Sequence, residues 1–134
     1  MGLSFHINFN GQCRAAFEYY AQNLGGIIGT MLSYKDSPAA ASAAHDWQDK
    51  ILHANINIAG VELAGADLRP EDYQKPRGFY VLLGINSAAE VNSIFNALCL
   101  DGTIILAPQK TFWSKNYAIV VDRFGVPWKI NCGD

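Results

Sequence analysis

Phe5-His6-Ile7-Asn8-Phe9-Asn10-Gly11-Gln12-Cys13-Arg14-Ala15-Ala16-Phe17-Glu18-Tyr19-Tyr20 reads as a strand running into a helix. Its first five residues alternate, apolar at 5, 7 and 9 and polar at 6 and 8, which is the period of a half-buried strand. Asn10-Gly11 breaks that pattern. From Gln12 the spacing becomes helical, with Cys13, Ala16, Phe17, Tyr20 and Leu24 on one stripe, and Gly25-Gly26 is a helix stop. The order then returns. Placing Phe5 on Phe79 carries Ile7 to Val81, Phe9 to Leu83, Phe17 to Val91, Tyr20 to Ile94 and Leu24 to Leu98, and every pair is apolar.

Working outward, residues 27–34 read as a second strand and 35–49 as a long loop or short helical excursion rich in Ser, Pro and Ala. Strands over 51–58 and 61–66 follow, joined across Ala59-Gly60 as a hairpin. The first alternates, with Leu52, Ala54, Ile56 and Ile58 on one face and His53, Asn55 and Asn57 on the other. The second half repeats the order. It offers a strand over 79–85, a helix over 88–100 with Val91, Ile94, Phe95 and Leu98 buried, and strands over 103–107, 117–121 and 127–131. The predicted fold is α+β, a single domain over 1–134, with repeat one at about 4–66, a connector at 67–77 and repeat two at about 78–132. One helix covers one face of a sheet, so the uncovered faces of two such halves are expected to form a concave, ligand-sized cavity with the helices outside.

Bulk composition excludes several partners. A chain of 134 residues that is half apolar can close one core without staples. Its net charge of -2, without a run of like charge, gives no footprint for nucleic acid or an anionic membrane. Nothing approaches the roughly 18 to 20 apolar residues of a membrane span. The first residues, Met1-Gly2-Leu3-Ser4-Phe5-His6, resemble neither a secretory signal nor a myristoylation site, so a cytoplasmic location is expected.

Cys13, Cys99 and Cys132 are far apart and free of zinc or redox spacing, and read as free thiols, the first two as small buried hydrophobes. No Gly-x-Ser-x-Gly elbow and no carboxylate pairing point to hydrolysis. Gly25-Gly26-Ile27-Ile28-Gly29 follows a helix, so it is no phosphate loop. The residues that can face a cavity are His6, Asn8, His53 and Asn55, on the polar faces of two strands, together with Lys129. Each has a plain alternative as a hydrogen-bonding or solvated member of a sheet face. Trp113 and Trp128 suit core or dimer anchors, and aromatic walls also line small-molecule pockets.

Several strings resemble the vicinal oxygen chelate superfamily of glyoxalases, bleomycin-resistance proteins and dioxygenases, and more closely its PhnB-like branch. They are Ile7 to Cys13 running into Ala16-Phe17-Glu18-Tyr19-Tyr20, Leu24-Gly25-Gly26, Lys50-Ile51-Leu52-His53-Ala54, Thr111-Phe112-Trp113, and Asp122-Arg123-Phe124-Gly125-Val126-Pro127-Trp128-Lys129-Ile130-Asn131. The resemblance implies two βαβββ repeats in a half-barrel with a cavity, and a homodimer that takes a small organic molecule. Metal-using relatives carry His, Gln or Glu on the first and last strands of both repeats. Here Lys129 stands where the last ligand would be, residues 78–83 supply none, and only Glu62 suits such a position, so no cofactor is expected. The alternatives are a glyoxalase-type lyase, isomerase or transferase with a divalent metal on His6, His53 and Glu62, and a drug-sequestering resistance protein. The methyltransferase label of some PhnB-like proteins has no support in these motifs.

Overall fold

The N-terminal alternation forms β1 (Phe5–Phe9), with Ile7 and Phe9 buried. Helix α1 (Cys13–Leu24) follows and ends at Gly25, whose φ of 68° is a left-handed conformation that glycine adopts without steric cost. Next come β2 (Ile27–Ser33), β3 (Ile51–Ile58) and β4 (Val61–Asp67). The computed structural model describes residues 1–133 and divides them into two compact units that meet between Gln74 and Lys75. In the first unit the sheet order is β1-β4-β3-β2, with β1 parallel to β4 and the other pairs antiparallel. Phe17 and Tyr20 of α1 are fully buried against this sheet, and Phe17 meets Phe9 edge-on at 5.7 Å.

The second unit runs β5 (Val81–Ile85), α2 (Ala88–Cys99), β6 (Thr103–Gln109), β7 (Asn116–Val121) and β8 (Pro127–Cys132). Its sheet order, β5-β8-β7-β6, repeats that of the first, with β5 parallel to β8. Val91, Ile94, Phe95 and Leu98 of α2 are the buried stripe expected from the sequence. Each unit is therefore a βαβββ module with a four-stranded mixed sheet and one helix. Among the described residues no helix is long and apolar enough to cross a membrane.

Several expectations need correction. The fifth strand begins at Val81 rather than Phe79, β2 stops at Ser33, and β6 runs on to Gln109 through Pro108. Pro108 is tolerated because β6 is an edge strand with a register shift between Leu106 and Gln109. The loop over 35–49 holds two 3-10 turns, Ala40–Ser42 and His45–Trp47, with Trp47 buried. At the start of β3 it is Ile51 that is buried, while Leu52 is only half-buried. Leu32 pairs with His53 but Ser33 with Ile51, so Leu52 is the extra residue of a bulge and the alternation slips there. Cys99 is half-exposed at the end of α2 rather than buried, and Trp113, 47% exposed, is not a core residue, which leaves its readings as a dimer anchor or pocket wall.

Candidate functional site

Pairing register fixes what lies on the helix-free face of the first sheet. His6 pairs with Ala64, and Asn55 pairs with Ala64 from the other side, so these three form one row. Asn8 pairs with Ala66, and the pairing of Ala54 with Gly65 brings His53 level with Ala66 in the next row. Glu62 pairs with Asn57 in the row beyond Ala64. His6, Asn8, His53, Asn55 and Glu62 thus share one face, as alternation predicts.

Their hydrogen bonds separate structural from available groups. Asn55 Oδ1 accepts from the backbone N–H of Thr30 at 2.8 Å, inside the bulge that shifts register between Ile28 and Met31. Gly29 leaves the room for that amide, since a Cβ there would collide with Asn55 Oδ1. Asn55 is a structural plug. Asn57 Oδ1 likewise accepts from Gly60 N at 3.0 Å and closes the hairpin. His6 Nε2 and Asn8 Oδ1 lie 2.9 Å apart, so those two side chains satisfy each other. His53 is exposed, and its side chain has no hydrogen-bond partner among the described residues.

The same register tests a divalent ion on His6, His53 and Glu62. His53 and Glu62 are four residue positions apart along the sheet, about 13 Å at the usual rise. A shared ion needs bonds of about 2.0–2.2 Å to each ligand, which side chains that far apart on one flat face do not reach. The set does not fit a metal. Among the described residues no group of three or more His, Cys, Asp or Glu side chains converges on a point that could hold one.

On the second sheet, Trp128, Ile130 and Cys132 of β8 are buried, so Lys129 and Asn131 occupy the helix-free face. Lys129 lies in a row with Leu82 and Ile119, and Asn131 in a row with Gly84 and Tyr117. Lys129 Nζ sits 4.7 Å from the centre of the Tyr80 ring, a cation–π contact. It has no carboxylate within 4.0 Å among the described residues. The buried Asp122 is not such a partner, since it accepts from Phe124 N, Val126 N and Trp128 Nε1 at 2.9 to 3.0 Å. Trp128 is therefore a core residue whose indole N–H is satisfied. Trp113 lies between β6 and β7, edge-on to Phe112 at 4.7 Å and to Tyr117 at 5.3 Å.

Two features escaped the motif reading. Asn131 Oδ1 is enclosed without a hydrogen-bond partner, and among the described residues it is the one buried side-chain N or O atom in that state. Its place two residues after Lys129 was the signal, since alternation puts both on one face. The second feature is a pocket of about 260 Å³ in the first unit, lined by Tyr34, Ser42, Trp47, Asp67, Arg69 and Asp72 among others. Arg69 stacks on Trp47 at 4.8 Å, and both Asp67 oxygens accept backbone N–H bonds, from Cys13 and Ile51 at 2.8 Å. None of the candidates read from the sequence lines that pocket.

The chain's relatives agree with this architecture. Residues 2–131 match the family model described as 3-demethylubiquinone-9 3-methyltransferase. YjdN of Escherichia coli K12 is 33% identical over 139 residues, covering 98% of this chain and 95% of its own. The crystal structure of PA1353 from Pseudomonas aeruginosa is 36% identical, with a TM-score of 0.88 over 99% of this chain and 98% of that one. A Bacillus cereus PhnB protein shares the fold at 17% identity, with a TM-score of 0.85 over 99% of this chain and all of that one. Paired βαβββ modules of this kind are the vicinal oxygen chelate fold. With that fold and a family match running almost end to end, the chain belongs to the PhnB-like 3-demethylubiquinone-9 3-methyltransferase family.

Proposed function

We propose that this protein binds a small organic molecule on the helix-free faces of its sheets, and that it does so without a divalent metal. The observation that carries this reading is the make-up of the second face. A lysine without a counter-charge among the described residues and an enclosed amide sit among apolar side chains, of which Leu82 is 64% exposed. Few polar groups set in apolar walls is how ligand sites are built. On the first face, His53 and Glu62 are the polar groups left available among the described residues once Asn55, Asn57 and the His6–Asn8 pair are accounted for. The wide spacing of His6, His53 and Glu62 supports the metal-free half of the reading.

Binding to the native state alone raises the melting temperature in proportion to the logarithm of ligand concentration over Kd. A panel of small anions, cations and neutral aromatics, screened on untagged protein, is expected to yield at least one such rise. No rise across the panel sinks the binding reading. Tight stoichiometric uptake of nickel, manganese or zinc overturns its metal-free half.

We also infer a homodimer. The family resemblance supports it, and Ile27, 73% exposed, and Phe112, 96% exposed, are apolar side chains that a second chain would cover. Light scattering is expected to give twice the chain mass, and a monomer mass refutes the inference.

A further inference from the structure

We propose that the helix-free face of the second sheet selects an organic anion that also carries a hydrogen-bond donor, with the anion at Lys129 and the donor at Asn131. This rests on the small-molecule reading above and names the chemistry of its ligand.

Lys129 and Asn131 are next-but-one residues on β8. Their side chains leave the same face about 6.6 Å apart along the strand. The lysine is held over the face of Tyr80, a contact that orients an ammonium without neutralising it or using its N–H donors. Because no carboxylate lies within 4.0 Å among the described residues, its charge is open to a ligand. A cationic or metal-bearing molecule meets repulsion there, and a neutral one leaves the charge unanswered.

The donor requirement comes from Asn131. Buried polar atoms are almost always hydrogen-bonded, and an enclosed carbonyl oxygen without a donor is costly. Directly across the strand pair lies Gly84. A Cβ built there meets nothing within 4 Å, so the place beside the amide is a notch floored by backbone. Leu82 stands along β5 on one side, and Tyr117 and Ile119 on β7 on the other. Binding there requires a turn about the broad terminal torsion of Asn131, which carries its oxygen out of the enclosure toward that notch. A hydroxyl or N–H entering the notch supplies the missing bond, while the apolar body of the ligand lies against Leu82 and Ile119.

The test uses nitrogen-15 amide spectra of the full chain titrated with 4-hydroxyphenylacetate, which joins a carboxylate to a hydroxyl across an apolar ring. Tyramine keeps ring and hydroxyl but replaces the anion with an ammonium, and phenylacetate lacks the hydroxyl. We expect 4-hydroxyphenylacetate to shift amides of β5, β7 and β8. Tyramine should bind at least about tenfold more weakly, as a lost charge-assisted bond implies, and phenylacetate should fall between. Lys129→Met is expected to remove the preference for the anion. Gly84→Val fills the notch at a place with room for a side chain and is expected to abolish the shifts while the spectrum stays folded. Asn131→Leu removes the unpartnered oxygen and is expected to raise the melting temperature while weakening 4-hydroxyphenylacetate. Equal binding of all three molecules, or unchanged binding by Lys129→Met, overturns this proposal and leaves the small-molecule reading standing, since the shifts still map the face. If these three and the melting panel all leave the protein unmoved, both readings fall.

Discussion

The two modules share a topology but anchor their helices by different means. α2 begins at Ser87, whose Oγ accepts from Glu90 N three residues on at 3.3 Å, a local N-cap. α1 begins at Gln12, which makes no side-chain cap. Its first N–H is instead taken by Asp67 Oδ1, 54 residues later in the chain, while Asp67 Oδ2 holds Ile51 N at the head of β3. One buried carboxylate therefore ties the helix to two strands. A repeat can keep its shape while one copy moves a local job to a tertiary one.

The largest expected effect follows from that contrast. Asp67→Ala leaves two buried N–H groups without acceptors and is expected to cost about 3–5 kcal/mol, as two charge-assisted bonds imply. Urea unfolding measures it. Asp67→Asn keeps one good acceptor and should lose about half as much. If Asp67→Ala costs no more than a helix cap does, the long-range anchor is not what holds α1.

Next in size is an alkaline effect on the same module. Cys13 lies at the start of α1, and burial, reinforced by the nearby negative charge of Asp67, pushes its thiol up to about 12 from 9.0. The folded protein thus holds this proton more tightly than the unfolded chain does. Stability is unaffected below pH 9 and is lost as pH rises from 9 toward 12, by about 1.4 kcal/mol per pH unit from this group. Cys13→Ala should flatten that slope in pH-dependent unfolding. In the native protein near neutrality, iodoacetamide is expected to label half-exposed Cys99 well before Cys13 or Cys132, as read by peptide mass spectrometry.

The smallest effect belongs to the second module. Ser87→Ala removes a local cap and is expected to cost about 1 kcal/mol in the same urea measurement. A cost near that of Asp67→Ala would erase the distinction between the two anchors.

The helix-free faces differ in kind as well. On the first, most polar side chains are occupied, with Asn55 in a bulge, Asn57 in a turn, and His6 paired with Asn8. On the second, a lysine and an amide oxygen remain without polar partners among the described residues, in apolar surroundings. Alternation in the sequence brought out His6, Asn8 and His53 as face residues, because a strand's period is independent of what packs on it, while Lys129 was brought out by the family resemblance. It could not separate Asn55 from His53, since occupancy depends on a β2 bulge that only cross-strand pairing reveals. Asn131 went unremarked for a similar reason, as an unanswered oxygen is visible only once its neighbours enclose it.

By itself, the sequence determined the doubled strand-helix-strand order, the stripe of each helix, and the stop at Gly25, because these follow from local period and backbone freedom. Tertiary structure decided that Leu52 is a bulge residue, that Asp67 rather than a neighbour caps α1, and that Lys129 rests on Tyr80 rather than on a carboxylate. Each depends on groups distant in the chain whose meeting is set by register and packing, and no local pattern carries that information.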